Sequence, residues 1–171
     1  MPRPRDIVVD HPKILFVGIN PGRISGQVGH HFAGPGNPFW RLLHAAGLVP
    51  VELRAEDDAR LAELGYALVN LCGRPTRSAA ELTRAELARG RTRLLAKIRA
   101  MRPEVVALVG VTLYPVIVGG KAGPGPAPDR LEGARVFVLP NPSGLNASFP
   151  SFAAKCVWFE RLRAFAAGSA T

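Results

Sequence analysis

Cysteine is scarce in this sequence: Cys72 and Cys156 are the only two among 171 residues. Two thiols cannot build a disulfide framework or a four-cysteine zinc or iron–sulfur site, and both are expected to be buried. Long apolar runs are missing too. No segment reaches the roughly 18 apolar residues of a membrane span. The opening MPRPRDIVVD has two arginines but neither the apolar region nor the cleavage site of a signal peptide. A cytoplasmic, reducing location without a membrane partner is expected. Histidines are few: His30 and His31 are adjacent and point apart in extended chain, and His11 and His44 supply no third ligand at a recognised spacing. No metal is expected. No cofactor is expected either, because the glycine turn after the first hydrophobic run lacks both GxGxxG spacing and a P-loop lysine.

Acidic residues are also in short supply. Thirteen Asp and Glu face 22 Lys and Arg, giving a net charge of +9 and a pI of about 10.7. A polyanion is the natural partner of such a chain, although scattered arginines also arise from genome composition alone. At 171 residues and 47% hydrophobic content, one domain with a full core is expected. Its bounds are read as 13–167, with an N-terminal extension over 1–12 and a tail over 168–171, and a monomer is expected.

Four short runs rich in β-branched residues read as strands: KILFVG (13–18), ALVNL (67–71), VVALVG (105–110) and RVFVLP (135–140). Their near-continuous hydrophobicity is that of strands covered on both faces. Helical stretches lie between them. PFWRLLHAAG stops at Gly47, AEDDARLAELG at Gly65, and a long segment capped by Ser78 runs to Met101 before Pro103. Gly90 inside that segment marks either a kink or a division into two shorter helices. A last helix over about 151–167 places Phe152, Cys156, Phe159, Leu162 and Phe165 on a core face. Residues 119–133, broken by Pro and Gly, read as an irregular surface excursion. The alternation predicts an α/β three-layer sandwich: a four-stranded parallel sheet with right-handed crossovers, flanked by helices.

Ligands of open parallel sheets collect outside the carboxyl ends of strands. Three of the four predicted strands end there in polar chemistry. The first runs into Asn20-Pro21-Gly22, the second carries Asn70 and leads into CGRPT, and the fourth runs into NPSGLNAS at 141–148.

GINPG, FAGPGNPFW (32–40), LVNLCGRPT (68–76) and NPSGL (141–145), in this order, resemble the mismatch-specific uracil/thymine DNA glycosylases of the uracil-DNA glycosylase superfamily. The resemblance runs from about residue 13 to 165. It implies a monofunctional hydrolase that flips a pyrimidine mispaired with guanine out of double-stranded DNA, cuts its N-glycosidic bond and leaves an abasic site for base excision repair. Other branches of the superfamily carry Asp at the place of Asn20 and His at the place of Asn141. Both differences remove an ionisable group here, so a slow enzyme that depends on a good leaving group is expected.

The chemistry of the residues fits. Glycosidic cleavage passes through an oxocarbenium-like sugar while the departing base takes up negative charge. Such a cation needs a placed water more than a strong base. An Asn offers one acceptor and two donors, so Asn20 can orient water without deprotonating it; the alternative is a turn residue capping a strand end. Pro21 fixes the backbone, and Gly22 permits close approach of a base. Ser25 and the backbone after Gly22 are expected at the base edge. Asn70 assists the water or the sugar, or is a satisfied strand-end amide. No lysine stands in these motifs to form a Schiff base, so strand cleavage is not expected.

The resemblance implies that Phe32 stacks on the extruded base, against a purely core role. Leu145 has the apolar character of a wedge that fills the gap in the base stack, against an anchor for its loop. By resemblance, backbone groups of Gly144 and Asn146 face the widowed guanine and Asn141 lies near the flipped nucleotide; Ser143 is placed at a phosphate. Asn146-Ala147 stand where the best-known bacterial pattern has Ser-Arg. Further phosphate contacts are drawn from Arg23, Arg74, Arg77 and Lys155, and most other arginines are taken as solvated helix faces. The other class of reading is a non-catalytic nucleic-acid binder on the same fold, which Asn20→Ala would leave unaffected.

Overall fold

Every residue of the first strand is buried, and its side chains divide between two cores. In β1 (Ile14–Gly18), Ile14 and Phe16 pack on one side of the sheet, Leu15 and Val17 on the other. The computed structural model describes residues 3–143 and 148–168. After β1 come α1 (Arg23–Val28), α2 (Phe39–Ala45), a 3₁₀ helix (Ala55–Leu64), β2 (Tyr66–Asn70), a short 3₁₀ turn (Ala79–Glu81) and α3 (Arg84–Met101). The chain continues through β3 (Val105–Val109), α4 (Leu113–Ile117), β4 (Gly125–Leu131), β5 (Ala134–Leu139) and α5 (Phe152–Ala166).

The strand order is β2-β1-β3-β5-β4, with β2, β1, β3 and β5 parallel. One core lies under α2, α5 and the long 3₁₀ helix, the other under α3 and α4. That is the expected three-layer sandwich. Phe16, Phe137 and Phe159 are fully buried in the first core, each worth about 1.5–3 kcal/mol of transfer free energy.

The sheet has five strands rather than four. Residues 125–131, read from sequence as an irregular excursion, form β4, which pairs antiparallel with β5 from Gly125 opposite Val138 to Leu131 opposite Ala134. Pro126 and Pro128 hid it, because proline is tolerated in a strand only at an edge, where the lost ladder donor faces outward. At the opposite edge Ile7 exchanges two backbone hydrogen bonds with Leu68, at 2.9 and 3.0 Å, and covers β2.

The third helix also differs. Ser78 caps only the short 3₁₀ turn, while Thr83 caps α3 with Glu86 returning the bond. Gly90 does not divide α3: a Cβ there would stand 2.5 Å from the Leu71 carbonyl oxygen, so glycine lets the helix lie directly on the chain leaving β2. On α5, Cys156, Phe159 and Leu162 are buried and Phe165 partly so, whereas Phe152 is exposed and receives the Arg41 guanidinium over its ring.

Because β1 is followed by β2 on one side and β3 on the other, the sheet switches direction between β1 and β3. A crevice opens there at the carboxyl ends of the strands.

Candidate active site

The crevice is a cleft of about 460 Å³. β1 and its following turn contribute Gly18, Asn20 and Gly22 to the lining; α1 contributes Arg23; β2 contributes Asn70; the loop before α2 contributes Phe32; the segment after β5 contributes Asn141 and Ser143. No carboxylate, lysine or cysteine lines it among the described residues.

Asn20 is held by both hydrogens of its amide. Nδ2 donates to the Arg74 carbonyl oxygen at 2.9 Å and to Thr76 Oγ1 at 2.7 Å. The assignment of N and O is dictated by the partners. A carbonyl can only accept, and the Thr76 hydroxyl spends its own proton on the Ser78 carbonyl at 2.8 Å, so it too accepts from Asn20. Oδ1 has no protein donor among the described residues and is left for a ligand of the cleft.

Thr76 is buried and also donates its backbone N–H to the Pro21 carbonyl at 3.1 Å, latching the segment after β2 to the Asn-Pro-Gly turn. Arg74 is fixed in its turn by a two-pronged pair with Glu86 of α3, at 2.7 and 2.9 Å. The guanidinium holds the Glu86 carboxyl down to about 2. A chain of contacts therefore runs from the start of α3 through Arg74 to the amide of Asn20.

The floor of the cleft depends on Gly18. A Cβ there would meet Asn70 Oδ1 at 2.6 Å and the Phe32 ring edge at 3.4 Å, so glycine is what lets these two side chains close over the strand end. The Asn70 amide makes no hydrogen bond to the protein among the described residues and keeps its donors and acceptor for a ligand. Phe32 stacks on Phe39 with ring centroids 4.1 Å apart and planes 23° from parallel. It also packs against the first core and lines the cleft. Its φ of 49° lies in the left-handed region, a backbone cost of about 1–3 kcal/mol that persists only where neighbours over-determine it.

Those neighbours are identifiable. Buried Ser25 accepts the Ala33 N–H at 2.9 Å; Asp58 accepts the His31 N–H at 2.9 Å; Trp40 Nε1 donates to the His31 carbonyl at 3.1 Å. His31 Nε2 lies 2.7 Å from the Arg5 carbonyl oxygen, which can only accept, so Nε2 carries the proton.

A model of the uracil DNA glycosylase superfamily matches residues 5–163. The chain belongs to the uracil-DNA glycosylase superfamily. With membership come DNA as the substrate, glycosylase hydrolysis of the bond to uracil as the reaction class, and a place in base excision repair. The crevice between β1 and β3 is where this glycosylase brings most of the expected site residues together. Gly144, Leu145 and Asn146 lie outside the described residues.

Among the site residues of this glycosylase, three placements differ from expectation. Ser25 reaches the cleft wall, but its hydroxyl oxygen serves the loop that carries Phe32. Arg74, taken as a phosphate contact, has its guanidinium committed to Glu86 and the Glu81 carbonyl. Lys155, also taken as one, is only 2% exposed within α5, on the side that packs inward. Arg23 and Arg77 are exposed at the rim, with no ion pair among the described residues. At Gly22, a Cβ would meet no atom within 4 Å, so the glycine leaves open space in the cleft rather than satisfying a backbone demand.

Thr76, Glu86, Asp58 and Gly18 were not singled out from sequence. One signal for Glu86 was present: Thr83-Arg-Ala-Glu86 is a capping box, repeating the pattern of Ser78-Ala-Ala-Glu81.

Two outcomes follow from this geometry. Thr76→Val, close to isosteric, removes the acceptor for one Asn20 hydrogen; the single-turnover rate is expected to fall about tenfold or more, with duplex affinity unchanged and with recovery in Thr76→Ser. Equal rates for Val and Thr would show that the Arg74 carbonyl suffices. The second outcome concerns His31, whose pKa is lowered, first of all by burial and against the pull of the Arg5 carbonyl and Asp58. The fold therefore prefers the neutral ring. Its contribution is complete above the ordinary histidine range and is lost as pH falls below it, because the unfolded chain takes up the proton more readily. Thermal midpoints measured from pH 8 to pH 5 should decline for the wild type and decline less for His31→Gln, which keeps a donor toward Arg5. Parallel declines would place the titration elsewhere.

Proposed function

We propose that this chain is a monofunctional, mismatch-directed uracil/thymine glycosylase, acting on uracil paired with guanine in double-stranded DNA. The observation that carries the reading is Asn20, both amide hydrogens consumed, presenting Oδ1 to a cleft whose lining holds no carboxylate among the described residues.

In this mechanism the extruded pyrimidine lies against the free surface of Phe32, in a slot that the Phe32–Phe39 stack makes rigid. The bond between sugar C1′ and the pyrimidine nitrogen breaks heterolytically, and the electron pair leaves with the base. Oδ1 of Asn20 accepts a hydrogen bond from one water, aligning its lone pair with C1′. The hydroxyl stays on the sugar, and the water's other proton passes to the departing base or to solvent. Asn70 offers its unpaired amide to the base or the sugar. With no base to deprotonate the water, rate depends on how well the leaving group carries charge and how easily its base pair opens, which favours uracil in a mispair. No lysine lines the cleft among the described residues, so the reaction stops at the abasic site. The reading places the protein in a bacterial cytoplasm, at the nucleoid during repair, acting as a monomer.

The test is a single-turnover assay on labelled duplexes with G·U, A·U and G·T and on single-stranded U, with alkali to reveal abasic sites. Cleavage of G·U ahead of A·U is the expected result. Equal rates on G·U, A·U and single strands would remove the mismatch preference, and strand breaks without alkali would remove the monofunctional assignment.

A further inference from the structure

Beside the active-site cleft, and sharing Asn70 with it, lies a second groove of about 360 Å³. It runs between α3 and the N-terminal segment that covers β2. Arg89, Arg93 and Lys97 follow one another at intervals of four along α3 and line one wall; Arg3 lines the other. Five cations and two carboxylates border it. The carboxylates are already used: Glu86 by Arg74, and Asp6 by Lys97 at 2.7 Å. Arg3, Arg89 and Arg93 have no acidic partner among the described residues. The Arg3 guanidinium stands 3.4 Å from where a Cβ of Gly73 would be, directly over the chain that leaves Asn70.

Like charges four residues apart on a helix cost stability, so this stripe is not explained by the fold. Cys72 at the floor cannot relieve it. Burial pushes that thiol up, and it remains neutral although Arg93, Arg74 and Arg89 all act on it. Arg89 and Arg93 are exposed, and the groove communicates with solvent rather than enclosing a small ion on all sides.

We propose that this groove seats a backbone phosphate of the DNA strand whose nucleotide occupies the cleft, with Arg3, Arg89 and Arg93 as its ligands and Asn70 at the junction. The proposal rests on the glycosylase reading and extends it to a positioning contact away from the flipped base. It revises the expectation that Arg89 and Arg93 belong to a merely solvated helix face.

The experiment uses a duplex with a non-cleavable tetrahydrofuran abasic analogue opposite guanine and follows its affinity for the full chain from low to moderate salt. Arg89→Gln/Arg93→Gln is expected to bind about tenfold or more weakly at low salt, whatever base lies opposite. Its log–log salt slope is expected to be shallower by about 0.9, the value for one phosphate contact. Arg89→Lys/Arg93→Lys keeps the charge and should keep the slope. An unchanged slope and affinity in the glutamine variant overturn the proposal. A separate arm measures thermal midpoints with inorganic phosphate. If phosphate stabilises the wild type and not the glutamine variant, while the DNA slopes are equal, the groove takes a free anion and the backbone assignment falls. The two readings fail separately: no cleavage of any uracil substrate with a slope change sinks the glycosylase and leaves the groove, whereas cleavage with equal slopes does the reverse.

Discussion

Asn20→Ala is expected to lower the single-turnover rate on a G·U duplex by about 10²–10³-fold, the usual loss when one group that positions a reactant is removed. Alanine removes the one acceptor offered to water and leaves the Arg74 carbonyl and Thr76 hydroxyl without their donor. Both can turn to water in a part-open site, so the stability cost stays near a single hydrogen bond, about 0.5–1.5 kcal/mol. Affinity for a duplex with an abasic analogue is expected to stay close to that of the wild type. A full rate in Asn20→Ala would make Asn20 only the cap of a strand end and return the chain to a reading in which catalysis, if present, uses other groups.

Phe32→Ala is the second large effect. Stacking of a base on an aromatic ring is worth about 1–3 kcal/mol, so the rate or affinity on G·U is expected to fall by about 5–150-fold. Phe39 loses its stacked partner at the same time, and an aromatic pair contributes a further 0.5–1.5 kcal/mol or so to stability. Phe32→Leu separates the two losses. Leucine fills much of the volume against Phe39 but presents no planar face, so its thermal midpoint should recover more than its activity. A leucine variant as active as the wild type, or an alanine variant that loses stability alone, would assign Phe32 to the core.

All four parallel strands, the last helix and the polar turns at the strands' carboxyl ends were legible because local pattern suffices for them, whereas the short helices α1 and α4, which follow β1 and β3, were not read. Continuous β-branched runs mean strands buried on both faces, as β1 and β3 are. Asn20, Asn70 and Asn141 could be named as a group because strand ends in a parallel sheet point the same way, whereas Phe32, in the loop before α2, was named only through the family resemblance. β4 was not legible, since two prolines contradict a strand everywhere except at an edge, and the edge exists only once β5 is in place. The division of 78–101 was misplaced because two capping boxes lie five residues apart, and packing decides which of them begins the long helix.

Sequence alone determined the fold class, the absence of a cysteine framework and the identity of the amide at the end of β1. What that amide does was decided by tertiary structure. Thr76 and Arg74 are 56 and 54 residues from Asn20 in the chain, and only the parallel pairing of β1 with β2 brings them within hydrogen-bond distance. Side-chain chemistry can be read residue by residue, but which of its hydrogens are spent and which atom is left facing the cleft depends on partners that the fold supplies from far away.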